Sequence, residues 1–159
     1  MFQSTKYFSG YSCCFRQWKA THSHCRFLHG YAISFRVVFQ GTLDEHNWVC
    51  DFGCFSRNGI KDRLAYLFDH TTIIAADDPE RSTFSQLEKA GLIQLRVVDA
   101  VGTERFAELV CTEINMLLSQ DERHAGRVQA VLVECFENNK NSAIFHSHHL
   151  LLKEGFCEE

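Results

Sequence analysis

The stretch CRFLHGYAISFRVVFQ, residues 25–40, decides the fold class. From His29 onward it is dense in β-branched and aromatic residues, and Ala32, Ser34 and Arg36 alternate with Ile33, Phe35 and Val37. That period of two marks a half-buried strand, with one face on a core and the other toward water. Upstream, residues 6–15 are aromatic and cysteine-rich and form a second β segment. Downstream, GTLDEHN at 41–47 reads as a turn into a short apolar stretch at 48–52.

Two helical patterns follow. Ile60, Leu64, Leu67 and Phe68 recur at helical spacing and predict a first helix over about residues 54–68. Residues 103–120 place Phe106, Leu109, Val110, Ile114, Leu117 and Leu118 on one stripe and predict a second. Between them lie a loop with Asp77, Asp78 and Pro79, a short polar helix at 83–90 ended by Gly91, and an extended segment, IQLRVV, at 93–98. Two strand-like runs, 128–136 and 142–146, flank the turn Asn138, Asn139, Lys140, Asn141. The expected order is β-β-α-(loop)-α-β-β. It describes an α+β domain, an antiparallel four-stranded sheet of two hairpins with two helices packed on one face. Exposed edges of such a sheet are commonly removed by pairing with a neighbour, so a closed ring of subunits is expected. The connection 71–102 is longer than a compact linkage usually is.

Composition sets the outer bounds. With 159 residues, 45% hydrophobic and 23% charged, the chain is expected to form one ordered domain over 1–159. A net charge of −4 argues against a duplex-DNA or polybasic membrane binder. No apolar run reaches the ~18 residues of a membrane span and no signal peptide opens the chain, so a cytoplasmic protein without nucleic-acid or membrane partners is expected. Eight cysteines permit a disulfide framework. The chain is twice the size of a typical stapled scaffold, however, and reduced thiols are the expectation.

The residues that could carry chemistry fall into a few groups. His22, His24 and His29 crowd around Cys25. A thiol four positions before a strand that opens with His29 lies near an imidazole, and Gly30 allows close backbone approach. A thiolate near a metal or cationic histidine can act as base or nucleophile; the same spacing also fits an apolar cysteine beside a loop histidine. Asp69 next to His70 can orient an imidazole as a general-base dyad, or simply end a helix with a histidine favoured by the macrodipole. Thr103 and Glu104 open the long helix as a cap and first-turn acid. Glu137, at the end of an apolar strand, can accept two parallel hydrogen bonds from an amino-pyrimidine edge, or be a solvated turn residue. His146, His148 and His149 read as a surface segment.

Taken in order, Cys-x-x-x-His-Gly at 25–30, Val49-x-Asp51-Phe52, Asp69-His70, the helix entry at Thr103 and Glu104, and the late Glu137 followed by Asn and Ser142-Ala-Ile-Phe resemble the 6-pyruvoyltetrahydropterin synthase family. The resemblance covers about residues 6–147. The three-residue gap between Cys25 and His29 is closer to the 6-carboxytetrahydropterin synthase branch, which feeds 7-deazaguanine (queuosine-type) synthesis. It implies a tunnelling fold (T-fold) assembled into rings, usually hexamers with sites at subunit interfaces. It implies a lyase acting on 7,8-dihydroneopterin triphosphate, with Cys25 moving protons on the substrate side chain. Asp69 and His70 would complete the relay, Glu137 would anchor the pterin, and Thr103 and Glu104 would lie near it. It also implies zinc as cofactor, held by one histidine on the first strand and His-x-His on the second.

In two places the chain departs from that pattern. Phe15 and Tyr31 stand where two of the three zinc histidines are expected, and only His29 remains. A phenyl ring cannot ligate and a phenol is a poor ligand at neutral pH, whereas catalytic zinc needs three protein donors. His24 and Cys13 are the candidate replacements; the other outcome is a pocket that binds a pterin without metal. Three activities therefore follow from the resemblance: conversion to 6-carboxytetrahydropterin or the 6-pyruvoyl product, binding of a pterin or purine without conversion, or another reaction on the scaffold such as aldol cleavage of dihydroneopterin.

Overall fold

The structure, a computed structural model, describes residues 1–147. His148 and His149 lie outside them. Elements run in the order β1 (Phe2–Phe15), a 3-10 turn (His24–Arg26), β2 (His29–Gly41), α1 (Cys54–Arg57), α2 (Ile60–Phe68), β3 (Thr71–Ala75), α3 (Arg81–Lys89), β4 (Leu95–Val98), α4 (Thr103–Gln120), β5 (Val128–Phe136) and β6 (Ser142–His146). The strands form one six-stranded sheet in the order β4-β3-β1-β2-β5-β6.

β1 and β2 make a long antiparallel hairpin whose register slips between Phe8 and Tyr11, around Gly10 at φ +91°. β5 and β6 form the second antiparallel pair and β5 joins β2. The expectation of a four-stranded antiparallel sheet is corrected here. β3 runs parallel to β1 and β4 parallel to β3, so the sheet is mixed. The physical reason is the sequence TTIIA, Thr71–Ala75, a β-branched run buried at every position. Such a run lacks alternation because both of its faces are covered. Ile73 packs into the main core, while Ile74 packs with Phe84 and Leu95 beneath α3. The long connection is thus a strand-helix-strand unit, and α3 covers the sheet face opposite the one that takes α2 and α4.

The helix expected over 54–68 is two helices. Gly59, at φ +79°, precedes Ile60 and breaks the run, while Asn58 closes α1 by donating its amide to the Cys54 carbonyl at 2.8 Å. On the main face, Phe35 meets Phe68 at 4.9 Å and Phe68 meets Phe106 at 5.4 Å between ring centroids, locking α2 and α4 onto β2. Arg16, just past β1, grips the buried Asp78 carboxylate with two bonds of 2.9 and 2.6 Å and so ties the β3–α3 loop to the end of the hairpin. The seven cysteines among the described residues are all free. No helix among those residues is long and apolar enough to cross a membrane.

Candidate active site at the loop end of the first hairpin

The β1–β2 register sets Phe15 opposite His29 and Cys13 opposite Tyr31. Side chains two apart on a strand share a face, so all four lie on the side that takes α2 and α4. Phe15 and Cys13 are buried. The Phe15 ring stacks on Tyr31 with centroids 4.0 Å apart and planes 12° apart, and meets Phe106 of α4 edge-on at 4.9 Å. His29 lies against the other part of the cluster, 4.5 Å from the Tyr31 ring.

Cys25 reaches this end through the connection between the strands. The Gln17 amide donates to the Cys25 carbonyl at 2.8 Å, and Ser23 caps the 3-10 turn by accepting from the Cys25 amide at 3.2 Å. The thiol is exposed, and with His24, Phe27 and His29 it lines a cavity of about 340 Å³. His29 Nδ1 lies 2.8 Å from the Phe27 carbonyl oxygen. A carbonyl only accepts, so Nδ1 carries the hydrogen, and in the neutral ring Nε2 keeps its lone pair.

Glu137 follows β5 directly. Its amide donates to the Asn141 carbonyl at 3.1 Å, and Asn138 braces the same turn by accepting from the Lys140 and Asn141 amides. The Glu137 carboxylate is half-buried and makes no hydrogen bond among the described residues. Burial first, then the nearby Cys25, Glu137 and Cys13, push the Tyr31 phenol up to about 12. Burial together with Cys13, Glu104 and Glu137 also raises the Cys135 thiol. The strand registers agree: Cys13 faces Tyr31 across the hairpin, and Ser34 faces Phe136, so Glu137 leaves β5 beside the start of β2. Thr103 donates its hydroxyl to Glu104 Oε2 at 3.2 Å. It does not cap α4; Gly102 occupies that position, without a side-chain cap.

Asp69 and His70 form the expected dyad. His70 Nδ1 lies 2.9 Å from Asp69 Oδ1. His70 sits at φ +55°, held there by its amide donating to the Ser12 carbonyl at 2.6 Å. A non-glycine residue at positive φ is a strained backbone position. The ring is 77% exposed, and Asp69 acts on Tyr11 rather than on Tyr31. One chain therefore groups Cys25, His24, His29, Tyr31 and Glu137 and sets Asp69 and His70 beside Ser12, with the imidazole turned to solvent.

The side chains present do not fit the zinc site that the resemblance implies. Phe15 has no donor atom, and Tyr31 is held in the stack. The one group of three donors among the described residues whose ligand atoms all lie within 4.8 Å of one another is Asp44, Glu45 and His46, on the loop after β2. His24, Cys25 and His29 share a cavity without closing to that distance.

One polar cluster escaped the sequence reading. His124 is buried, with Nδ1 2.8 Å from Asp121 Oδ2 and Nε2 3.9 Å from Cys54 Sγ. Its carbonyl accepts from the Arg127 and Val128 amides, so it clamps the end of α4 to the start of β5. The only signal was an aspartate three residues before a histidine at a helix end.

Comparison with known proteins agrees with this architecture. The family model for 6-pyruvoyl tetrahydropterin synthase matches residues 5–148. Comparison with curated proteins by sequence gives no significant match. Among solved structures, an uncharacterized protein from Wolinella succinogenes superposes with a TM-score of 0.74 at 20% identity, covering 92% of this chain and 98% of that one. The 6-pyruvoyl tetrahydropterin synthases of Plasmodium falciparum and Caenorhabditis elegans superpose with TM-scores of 0.57 at 15% identity, covering 91% and 92% of this chain and 98% and 94% of theirs. A match of the family model to nearly the whole of the described chain makes it a member of the 6-pyruvoyl tetrahydropterin synthase family.

Proposed function

We propose that this chain is a pterin-processing lyase whose site is built around Cys25, His29, Tyr31 and Glu137. The observation that carries this reading is the Glu137 carboxylate. It is half-buried and free of hydrogen bonds among the described residues, and it sits close enough to Tyr31 and Cys135 to shift both. Its oxygens are not sealed from solvent and so are open to a ligand, and an amino-pyrimidine edge offers two parallel N–H donors to them. Cys25 then stands at the opposite part of the cluster as the exposed thiol that moves a proton on the substrate side chain. The substrate in this reading is 7,8-dihydroneopterin triphosphate. The spacing of Cys25 and His29 favours the 6-carboxytetrahydropterin product of 7-deazaguanine synthesis over the 6-pyruvoyl product.

Asp69 and His70 enter from a neighbouring subunit. Their exposure and their place beside Ser12 suit a group that completes another copy's site, and this fits a ring, a hexamer in this reading, of a cytoplasmic enzyme. No step is routed through zinc. A second reading, a homologue that binds a pterin or purine without converting it, is favoured by the Phe15–Tyr31 stack.

The test pairs a fluorescence titration with a reduced pterin and a turnover assay on 7,8-dihydroneopterin triphosphate. Cys25→Ala is expected to lower turnover by about 100-fold or more with pterin affinity kept, and Glu137→Ala to weaken binding itself. Binding without any turnover by the unmodified protein selects the second reading. Loss of binding in both variants, or no pterin binding at all, overturns the assignment.

A further inference from the structure

Catalytic zinc is normally held by three protein donors. The strand positions facing the helices at the site are Cys13, Phe15, His29 and Tyr31. Only His29 presents a ring nitrogen with an unused lone pair. Phe15 offers none, and its ring lies flat on Tyr31 at 4.0 Å, van der Waals contact that leaves no room for an ion between them. The stack is fixed from behind, because Phe15 is 4% exposed and pinned edge-on by Phe106. Turning Tyr31 into a ligand would break that contact and uncover a buried ring. Cys13, directly across from Tyr31, is equally buried, and no trio drawn from Cys13, His24, Cys25 and His29 closes to ligating distance.

We propose that this chain works without a resident zinc, and that the Phe15–Tyr31 stack replaces the ion as the fixed element of the site. The Tyr31 hydroxyl makes no hydrogen bond among the described residues. No side-chain oxygen or nitrogen there is both fully buried and unpartnered, so this hydroxyl is open to a ligand. What the site presents is the Tyr31 hydroxyl, a hydrogen-bond donor at the rim of a packed aromatic cluster, with the His29 ring beside it. The ligand class that suits it is a flat heterocycle whose side-chain oxygen is met by hydrogen bonds rather than by a metal. The choice of a pterin rests on the function proposed above; the metal content does not.

The experiment measures zinc per chain after expression in zinc-supplemented medium and purification without chelators, beside reduced-pterin binding with and without EDTA. The unmodified protein is expected to hold no zinc that depends on His29, and its pterin affinity to be unchanged by EDTA. The double variant Phe15→His with Tyr31→His restores three histidines on one face, at 15, 29 and 31. It is expected to gain roughly one zinc per chain, and to lose it again when His29→Ala is added. Zinc at roughly one per chain in the unmodified protein that disappears in His29→Ala overturns the proposal, and that comparison stands even if the double variant fails to fold. A folded double variant that takes up no zinc also overturns it, since the two aromatic residues would then not be what excludes the ion. Either failure leaves the pterin titration to be judged by itself.

Discussion

Phe15 and Tyr31 lie ring on ring across the first hairpin, 12° from parallel, although Phe15 pairs along the backbone with His29 and Tyr31 with Cys13. The contact is diagonal, and diagonal neighbours on one face of an antiparallel pair are within reach of aromatic side chains. It joins core and site, because Phe15 also buries its edge against Phe106.

The two rings should therefore respond differently to substitution. Phe15→Ala removes a ring that is 4% exposed and is expected to cost about 3–5 kcal/mol. Tyr31→Phe keeps the stack and deletes only an accessible hydroxyl, so stability should change by less than about 0.5 kcal/mol. Urea unfolding of both variants checks the pair; equal losses would mean that the hydroxyl is structural.

Arg16 and Asp78 give a pH prediction. Burial by itself would raise the Asp78 carboxyl, but hydrogen bonds from Arg16 and the Glu80 amide, and the Arg16 charge, hold it below the usual carboxylate range. A folded value below the unfolded one, near ~3.9, stabilises the fold at neutral pH. That contribution is present above the unfolded value and is lost as pH falls through the folded one. Asp78→Asn should cost about 3–5 kcal/mol at pH 7, because it leaves Arg16 unpaired. It should also flatten the loss of stability between pH 4 and more acid conditions. Thermal unfolding of both proteins across that range is the measurement, and parallel curves would contradict it.

Gly59 interrupts a stretch that otherwise keeps helical spacing. A Cβ at this position meets no atom within 4 Å, so a substitution tests backbone conformation alone. Gly59→Ala is expected to destabilise by about 1–2 kcal/mol, the cost of a left-handed L-residue. Gly59→Asn should lose less. A neutral Gly59→Ala would show that α1 and α2 can merge.

The proposed placement of Asp69 and His70 in a neighbouring subunit's site predicts complementation. In the proposed ring, Cys25→Ala and His70→Ala, each strongly impaired alone, should regain part of the proposed activity when unfolded and refolded together, because some mixed assemblies would pair an intact Cys25 with an intact His70 from a neighbour. Activity that stays absent in mixed rings, with ring formation verified by light scattering, would place both groups in one subunit.

The alternation from Ile33 to Val37 and the apolar stripe from Phe106 to Leu118 were enough to place β2 and α4, since one face of each carries the core residues, although Ser34 and Val38 on the second face of β2 are buried as well. The turn at Asn138 and the pairing of β5 with β6 were equally legible. β3 was not. A five-residue run covered on both faces has no period to read, and only α3 folding over it makes it a strand rather than a loop. The break at Gly59 was hidden for a related reason, because the apolar spacing continues across it.

For the site, sequence alone supplied the residue types and the gap from Cys25 to His29. It also showed that Phe15 and Tyr31 stand where histidines were expected. What becomes of those two side chains was a tertiary matter. Hairpin register brings residues 15 and 31 to diagonal positions, and Phe106 from a distant helix fixes the stack. Likewise, Asp69 and His70 are adjacent in any conformation, but only the pairing of β3 with β1 sets them beside Ser12 with the imidazole turned outward. Local pattern specifies which face of each element is buried. Which chemical groups meet depends on register and long-range packing, and these are set by contacts between residues far apart in the chain.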